Sequence, residues 1–436
     1  MNPVLPVVAG LLVWLAAMPG GANKTAAETH SPPRTIDATG TEDVTDELEG
    51  FIEDVPDGGV ISLPSKARYR IERTLTVRER HDLTIDGNGT TLFAATEGDR
   101  NRSHVRIDGG SDLTLRDLIV DGANPEAGLG DDAYREDREA QHGFDLAGAV
   151  RVELDSVAVT DVYGDSVYIG QNVDGVWSSQ VWIHVSLFTR TGRQGTSVTA
   201  GRDVVIERNV YSQTRRATID LEPNLPTQGA SNVHVLDNRV GRGRLLFVAA
   251  HGNGPVDHIV IADNELRGRS LTISVTPPGT ERRSSFYVVG NVSDTRADRT
   301  PMTFVRIDGV VVRNNDQPLV SQRAKEGEVG VQVTSVCSLD VRANDFGTGT
   351  VACQRGSPCG DAPDPQAPAP PAIPARDQPA PARPPPRRRP PGPQPPRRKR
   401  RTIAPQTTTA TTRTKPTAST GCSSFPSSSG GPPSVR

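Results

Sequence analysis

Val204-Val205-Ile206-Glu207-Arg208-Asn209 is followed by Val233-His234-Val235-Leu236-Asp237-Asn238 and then by Ile259-Val260-Ile261-Ala262-Asp263-Asn264. The shared pattern is apolar, any, apolar, any, any, Asn. It continues as Phe286/Val288/Asn291, Val310/Val312/Asn315 and Leu339/Val341/Asn344, and upstream Leu83/Ile85/Asn88 fits it in full. Leu113/Leu115, Val152/Leu154 and Val181/Ile183 keep the apolar pair and place Leu118, Val157 and Ser186 at the Asn position. Sixth positions recur every 23 to 39 residues, the spacing of a solenoid. Apolar residues two apart describe a strand with one face inward. An Asn after such a strand accepts a left-handed backbone and ends it in a bend, and equivalent Asn residues can bond from coil to coil.

A second strand precedes each of these segments, at 143–146, 166–169, 195–198, 218–221, 246–249, 271–275, 303–307 and 330–333. Several short strands per turn of about 25 residues predict an all-β chain, a right-handed parallel β-helix of about ten coils. A helical repeat is excluded by the spacing of two, by the Asn and Gly interruptions and by the β-branched content. Asp43 to Asp54 reads as an amphipathic helix, with Val44, Leu48, Phe51 and Ile52 on one side, placed to cap the first coil.

The expected organisation is a signal peptide at 1–27, a linker at 28–42, the β-helix at 43–359 and a disordered tail at 360–436. Val4 to Met18 is apolar, short for a bilayer span, and followed by small residues. This predicts a secreted or surface protein with no further membrane segment. The tail holds 21 of the 37 prolines and 13 Lys plus Arg against 3 Asp plus Glu, which leaves 36 against 49 in the rest. The body is therefore acidic, and nucleic acid is not an expected partner. Of Cys337, Cys353, Cys359 and Cys422, two of the first three are expected to form a disulfide on the last coil. No metal-type spacing of Cys or His is present.

If the earlier strands of each coil stack, their outward residues form a column: Asp145, Tyr168, Ser197, Asp220, Val248, Ser274, Arg306, Gln332. Asp220 and Glu222, in ATIDLEPN, are two apart on a strand and would sit about 6 to 7 Å apart, as glycoside hydrolysis asks of its carboxylates. They are the candidate acid/base pair, with Asp145 and Asp165 as auxiliary carboxylates. Tyr168 and Tyr163 offer aromatic faces to a sugar. Arg193, Gln194, Arg216 and His251 are candidate substrate-binding groups, and Arg190 and Arg215 extend the basic approach. No metal ligand is assigned, although the same carboxylates could hold Ca²⁺. The polar stretch 124–141 is an insertion in one coil, expected as a loop on the binding face.

The entry segment from Gly58 to Leu92 and the coils with GDSVYIG, GRQGTSVTAGRDVVIERN and IDLEPN resemble the pectin-lyase-like superfamily of right-handed β-helix proteins. That resemblance implies activity on a polysaccharide. Asn172-Val173-Asp174-Gly175 and His251-Gly252 echo the polygalacturonase series, whose paired Asp and RIK segments are missing here. Neither that catalytic set nor the arginine-centred one of pectate lyases carries over whole. The expectation is a monomeric, carbohydrate-active protein that binds and cleaves a polysaccharide as a hydrolase. Its alternatives are a non-catalytic glycan-binding surface protein and a Ca²⁺-dependent lyase.

Overall fold

The computed structural model describes residues 27–279, 282–319, 329–346, 350–355 and 369–371. Among these, the strands form a nineteen-stranded sheet and an eleven-stranded sheet, with parallel pairing throughout both. The smaller sheet runs from Leu75–Arg78 through Val105–Asp108, Phe144–Ala147, Val167–Gly170, Thr196–Val198 and Ile219–Leu221 to Thr350–Arg355. The larger sheet carries the repeat strands, such as Gly201–Glu207 and Ala230–Leu236, and the short strands after each bend, such as Val210–Thr214. One continuous core of Val, Ile and Leu fills the interior, with Ile183, Ile206, Val235 and Ile261 fully buried in successive coils. The predicted parallel β-helix is the observed fold.

The Asn positions do more than turn the chain. Asn209, Asn238, Asn264, Asn291 and Asn315 are buried. The backbone N–H of Asn238 donates to Asn264 Oδ1 at 3.0 Å, and Asn238 Nδ2 donates to the same oxygen at 3.0 Å and back to Ile206 O at 2.9 Å. The same bonds repeat from Asn264 to Asn291, Asn315 and Asn344. The left-handed backbone falls on the residue before each Asn, as at Arg208 (φ 53°), Asp237 (φ 51°) and Asp263 (φ 56°). The expectation that Asn itself takes that conformation is thus corrected. The preceding residue makes the bend, and Asn uses its amide as a substitute backbone inside the core.

Asn88 does not belong to this ladder. Its pairing strand slips between Asp86 and Thr90, so Leu118 lies opposite Thr90, while Asn88 sits exposed on a left-handed bend (φ 49°). The helix spans Thr45–Asp54, with Leu48 and Ile52 buried and Val44 at its N-cap, and packs against the strand Leu75–Arg78. The stretch read as a linker carries structure: Thr29–His30 pairs with Val60–Ile61, and Asp37 accepts the backbone N–H groups of Thr39, Thr41 and Glu42. Cys337 is disulfide-bonded. The signal segment lies outside the described residues, as does the tail beyond Arg355 apart from 369–371. Among the described residues no helix is long and apolar enough to cross a membrane.

Candidate functional site

Register in the eleven-stranded sheet fixes the outward column. Arg106 pairs with Asp145, Asp145 with Tyr168, Tyr168 with Ser197, and Ser197 with Asp220. Asp220 then pairs with Ala249, followed by Ser274, Thr303 and Gln332. Two expected members are corrected. Val248 is fully buried and faces the core, and Arg306 lies past the end of the strand Met302–Val305 on a left-handed bend.

Asp220 is flanked by the inward residues Ile219 and Leu221, so its carboxyl faces out, yet it is only 4% exposed. Gln194 covers it: the Ala217 N–H donates to Gln194 Oε1 at 2.6 Å, which turns Nε2 to donate to Asp220 Oδ2. Glu222, two residues on, is its charged neighbour. Burial first, then the Glu222 charge, hold the Asp220 carboxyl well above its ordinary range. Glu222 lies one residue beyond the strand Ile219–Leu221, where alternation no longer holds the two side chains parallel.

Arg193 organises the rest. Its Nη1 donates to Asp165 Oδ2 at 2.8 Å, its Nη2 to Glu222 Oε2 at 2.9 Å, and its Nε lies 3.4 Å from Glu139. Asp165 is fully buried and also accepts the Gln194 N–H at 2.9 Å. These carboxylates, Asp165 foremost, keep Arg193 charged well beyond its ordinary range. The guanidinium thus supplies between Asp165 and Glu222 the positive charge that a bound cation would otherwise bring. Among the described residues no three His, Cys, Asp or Glu side chains converge as metal ligands.

Asp145 accepts from Arg106 at 2.6 Å and from Ser103 at 3.2 Å. His142 stacks on Tyr168 with centroids 4.5 Å apart and rings 9° from parallel. The Asp165 N–H donates to His142 Nδ1 at 3.1 Å, so the neutral ring carries its proton on Nε2, and burial holds its pKa below the ordinary value. His142 thus joins the site. The signal available was its place directly before the strand that presents Asp145. His251 lies beside Glu222, bonded to Ser274 at 3.0 Å, with its pKa lowered by partial burial.

Tyr163 and Arg216 go elsewhere. Tyr163 is 2% exposed and its hydroxyl donates to Glu97 at 3.2 Å, so it presents no face to a ligand. Arg216 lies 4.6 Å over the ring of Tyr134, Arg215 pairs with Asp131, and Arg190 pairs with Asp161 and Pro125 O. All three hold the insertion 124–141, which forms a wall along the edge where the chain enters the face. The loops after the strands, with the hairpin pairing of Gln171 with Trp177 and the Trp177 Nε1 bond to Thr227 O, lie along the opposite edge.

No family model matches the chain, and no curated protein matches it. Solved structures do. A double mutant of the tailspike protein of E. coli bacteriophage HK620, in complex with a pentasaccharide, superposes with TM-score 0.53 at 11% identity, over 74% of this chain and 62% of that one. The chain shares the fold of the pectin-lyase-like right-handed β-helix proteins. It is also similar to the Streptococcus pneumoniae surface adhesin PfbA (TM-score 0.49, 13% identity, 72% of this chain and 96% of that one). A Yersinia enterocolitica family 28 exopolygalacturonase gives TM-score 0.48 at 11% identity, over 77% of each chain.

Proposed function

We propose that this chain is an exported, monomeric, carbohydrate-active protein that binds a polysaccharide along the outer face of the eleven-stranded sheet and hydrolyses it. The observation that carries the reading is the buried Asp220, its carboxyl held above the ordinary range by burial and the Glu222 charge, with Glu222 oriented by Arg193. A carboxylic acid with a raised pKa beside a second carboxyl group is the equipment of glycosidic cleavage. Asp220 gives its proton to the glycosidic oxygen as the C–O bond breaks. Glu222 takes a proton from the water that attacks the anomeric carbon. Tyr168, Gln194 and His251 contact the sugar, with Asp145 as an auxiliary acceptor. The tailspike bound to a pentasaccharide supports a glycan as the ligand class for this fold.

Reducing-end release from a polysaccharide panel, with Asp220→Asn as the control, tests this. Loss of a positioned general acid lowers turnover about 10²–10⁴-fold. A variant with wild-type turnover overturns the assignment. A non-catalytic glycan-binding surface is the second reading, favoured by the 4% exposure of Asp220, which leaves little room for water. It predicts retention on a glycan with no turnover by any preparation.

A further inference from the structure

We infer that the polymer accepted by this face is an uncharged glycan and that polyuronates are rejected. The inference rests on the reading of the face as a polysaccharide site and names the substrate class.

The argument is one of charge placement. A polyuronate carries a carboxylate on every sugar, a repeat close to the ~4.8 Å rung of a parallel sheet. Each such group needs a cation, a metal or a free amide where it lands. The arginines nearest the carboxylates, Arg193 and Arg106, are already committed. Arg193 serves Asp165, Glu222 and Glu139, and Arg106 serves Asp145 at 2.6 Å and Asp108 at 3.6 Å. The carboxylates of Asp108, Asp145, Glu139, Asp165 and Glu222 outnumber the two guanidinium groups that hold them. Arg190, Arg193, Arg215 and Arg216, the basic approach, are all engaged, three of them with the insertion and its neighbours.

Past Asp220 the column continues as Ala249, Ser274, Thr303 and Gln332, which carry no charge and offer hydroxyl and amide groups. At the other side of Asp220, the stacked His142 and Tyr168 make a flat, neutral pair, and His142 Nε2–H, which has no bond within the protein among the described residues, is available to a sugar oxygen. Carboxylates that accept from hydroxyls, a flat neutral platform and a hydroxyl-lined track suit a neutral sugar chain. A like-charged polymer laid on Asp145 and Glu222 meets repulsion on binding.

Retention of the full chain on immobilised neutral polysaccharides (glucan, xylan, mannan and galactan types) and on polygalacturonate and alginate tests this at low and high salt. The Asp145→Asn/Glu222→Gln double variant is run beside it. The expected result is retention on a neutral polymer that salt barely changes, and roughly tenfold or weaker binding to both polyuronates. The double variant should narrow that gap by relieving the repulsion. Tighter binding of the native chain to a polyuronate than to every neutral polymer overturns the inference and leaves the polysaccharide reading standing. Silence on all columns overturns the polysaccharide reading and this inference together.

Discussion

Arg193 and Asp165 meet at 2.8 Å with the carboxylate fully buried and the guanidinium nearly so. They come from successive coils, 28 residues apart in sequence, and the same arginine reaches Glu222 one coil further on. The ion pair is therefore a cross-tie as well as part of the site.

Arg193→Met should destabilise the chain by about 3–5 kcal/mol, because it strands a buried Asp165 charge. The double variant Asp165→Asn/Arg193→Met should recover much of that loss. Denaturant unfolding of the three variants measures both. Equal stability of Arg193→Met and the native chain would sink the claim.

Asp220 sets a pH dependence of stability. Its folded pKa lies above its unfolded value, so the folded state binds more protons between the two. The stabilisation is complete below the unfolded value near 4 and fades as pH rises through the raised folded value. Asp220→Asn should flatten this part of the profile, as read by melting temperature from pH 4 to pH 8. Turnover by the native chain should fall over the same rise in pH as the acid loses its proton.

Asn264→Ala removes the acceptor of the buried Asn238 N–H and the amide that donates to Val235 O. The expected cost is about 2–4 kcal/mol. Asn88→Gly, at an exposed left-handed position outside the ladder, should cost about 1 kcal/mol or less. Comparable losses at the two sites would contradict the ladder's role.

Tyr163→Phe should leave glycan affinity unchanged and cost about 1 kcal/mol through the lost bond to Glu97. Tyr168→Ala should weaken affinity, since it removes the ring on which His142 rests. Titration calorimetry with the best-retained glycan separates them; reversed effects would reassign the sugar-contacting tyrosine.

The fold was legible because its repeat is local: an apolar pair and an Asn suffice to mark each coil. The register of the outward column was legible only where polar and apolar residues alternate, as in Thr218-Ile219-Asp220-Leu221. In Leu246-Phe247-Val248-Ala249-Ala250 every residue is apolar, and no alternation tells Val248 inward from Ala249 outward. Arg306 misled because a left-handed residue breaks the period of two. Asp220 and Glu222 were legible as a pair, but the groups that hold them were not. Those are Gln194 and Arg193 from the preceding coil, whose reach no local spacing encodes.

A solenoid ordinarily communicates only between adjacent turns, so each can fray with little notice taken further along. The insertion 124–141 changes that. Gln141 holds the carbonyls of Glu97 and Asp99, Glu139 meets Arg193, and Leu129 O accepts from Arg244. One short covalent segment thus reaches from the turn of Glu97 to that of Arg244, like a brace laid across the ribs of a hull. Opening any middle turn strains the brace at both ends, and the stretch of chain that bears the site is made to hold or yield as one piece.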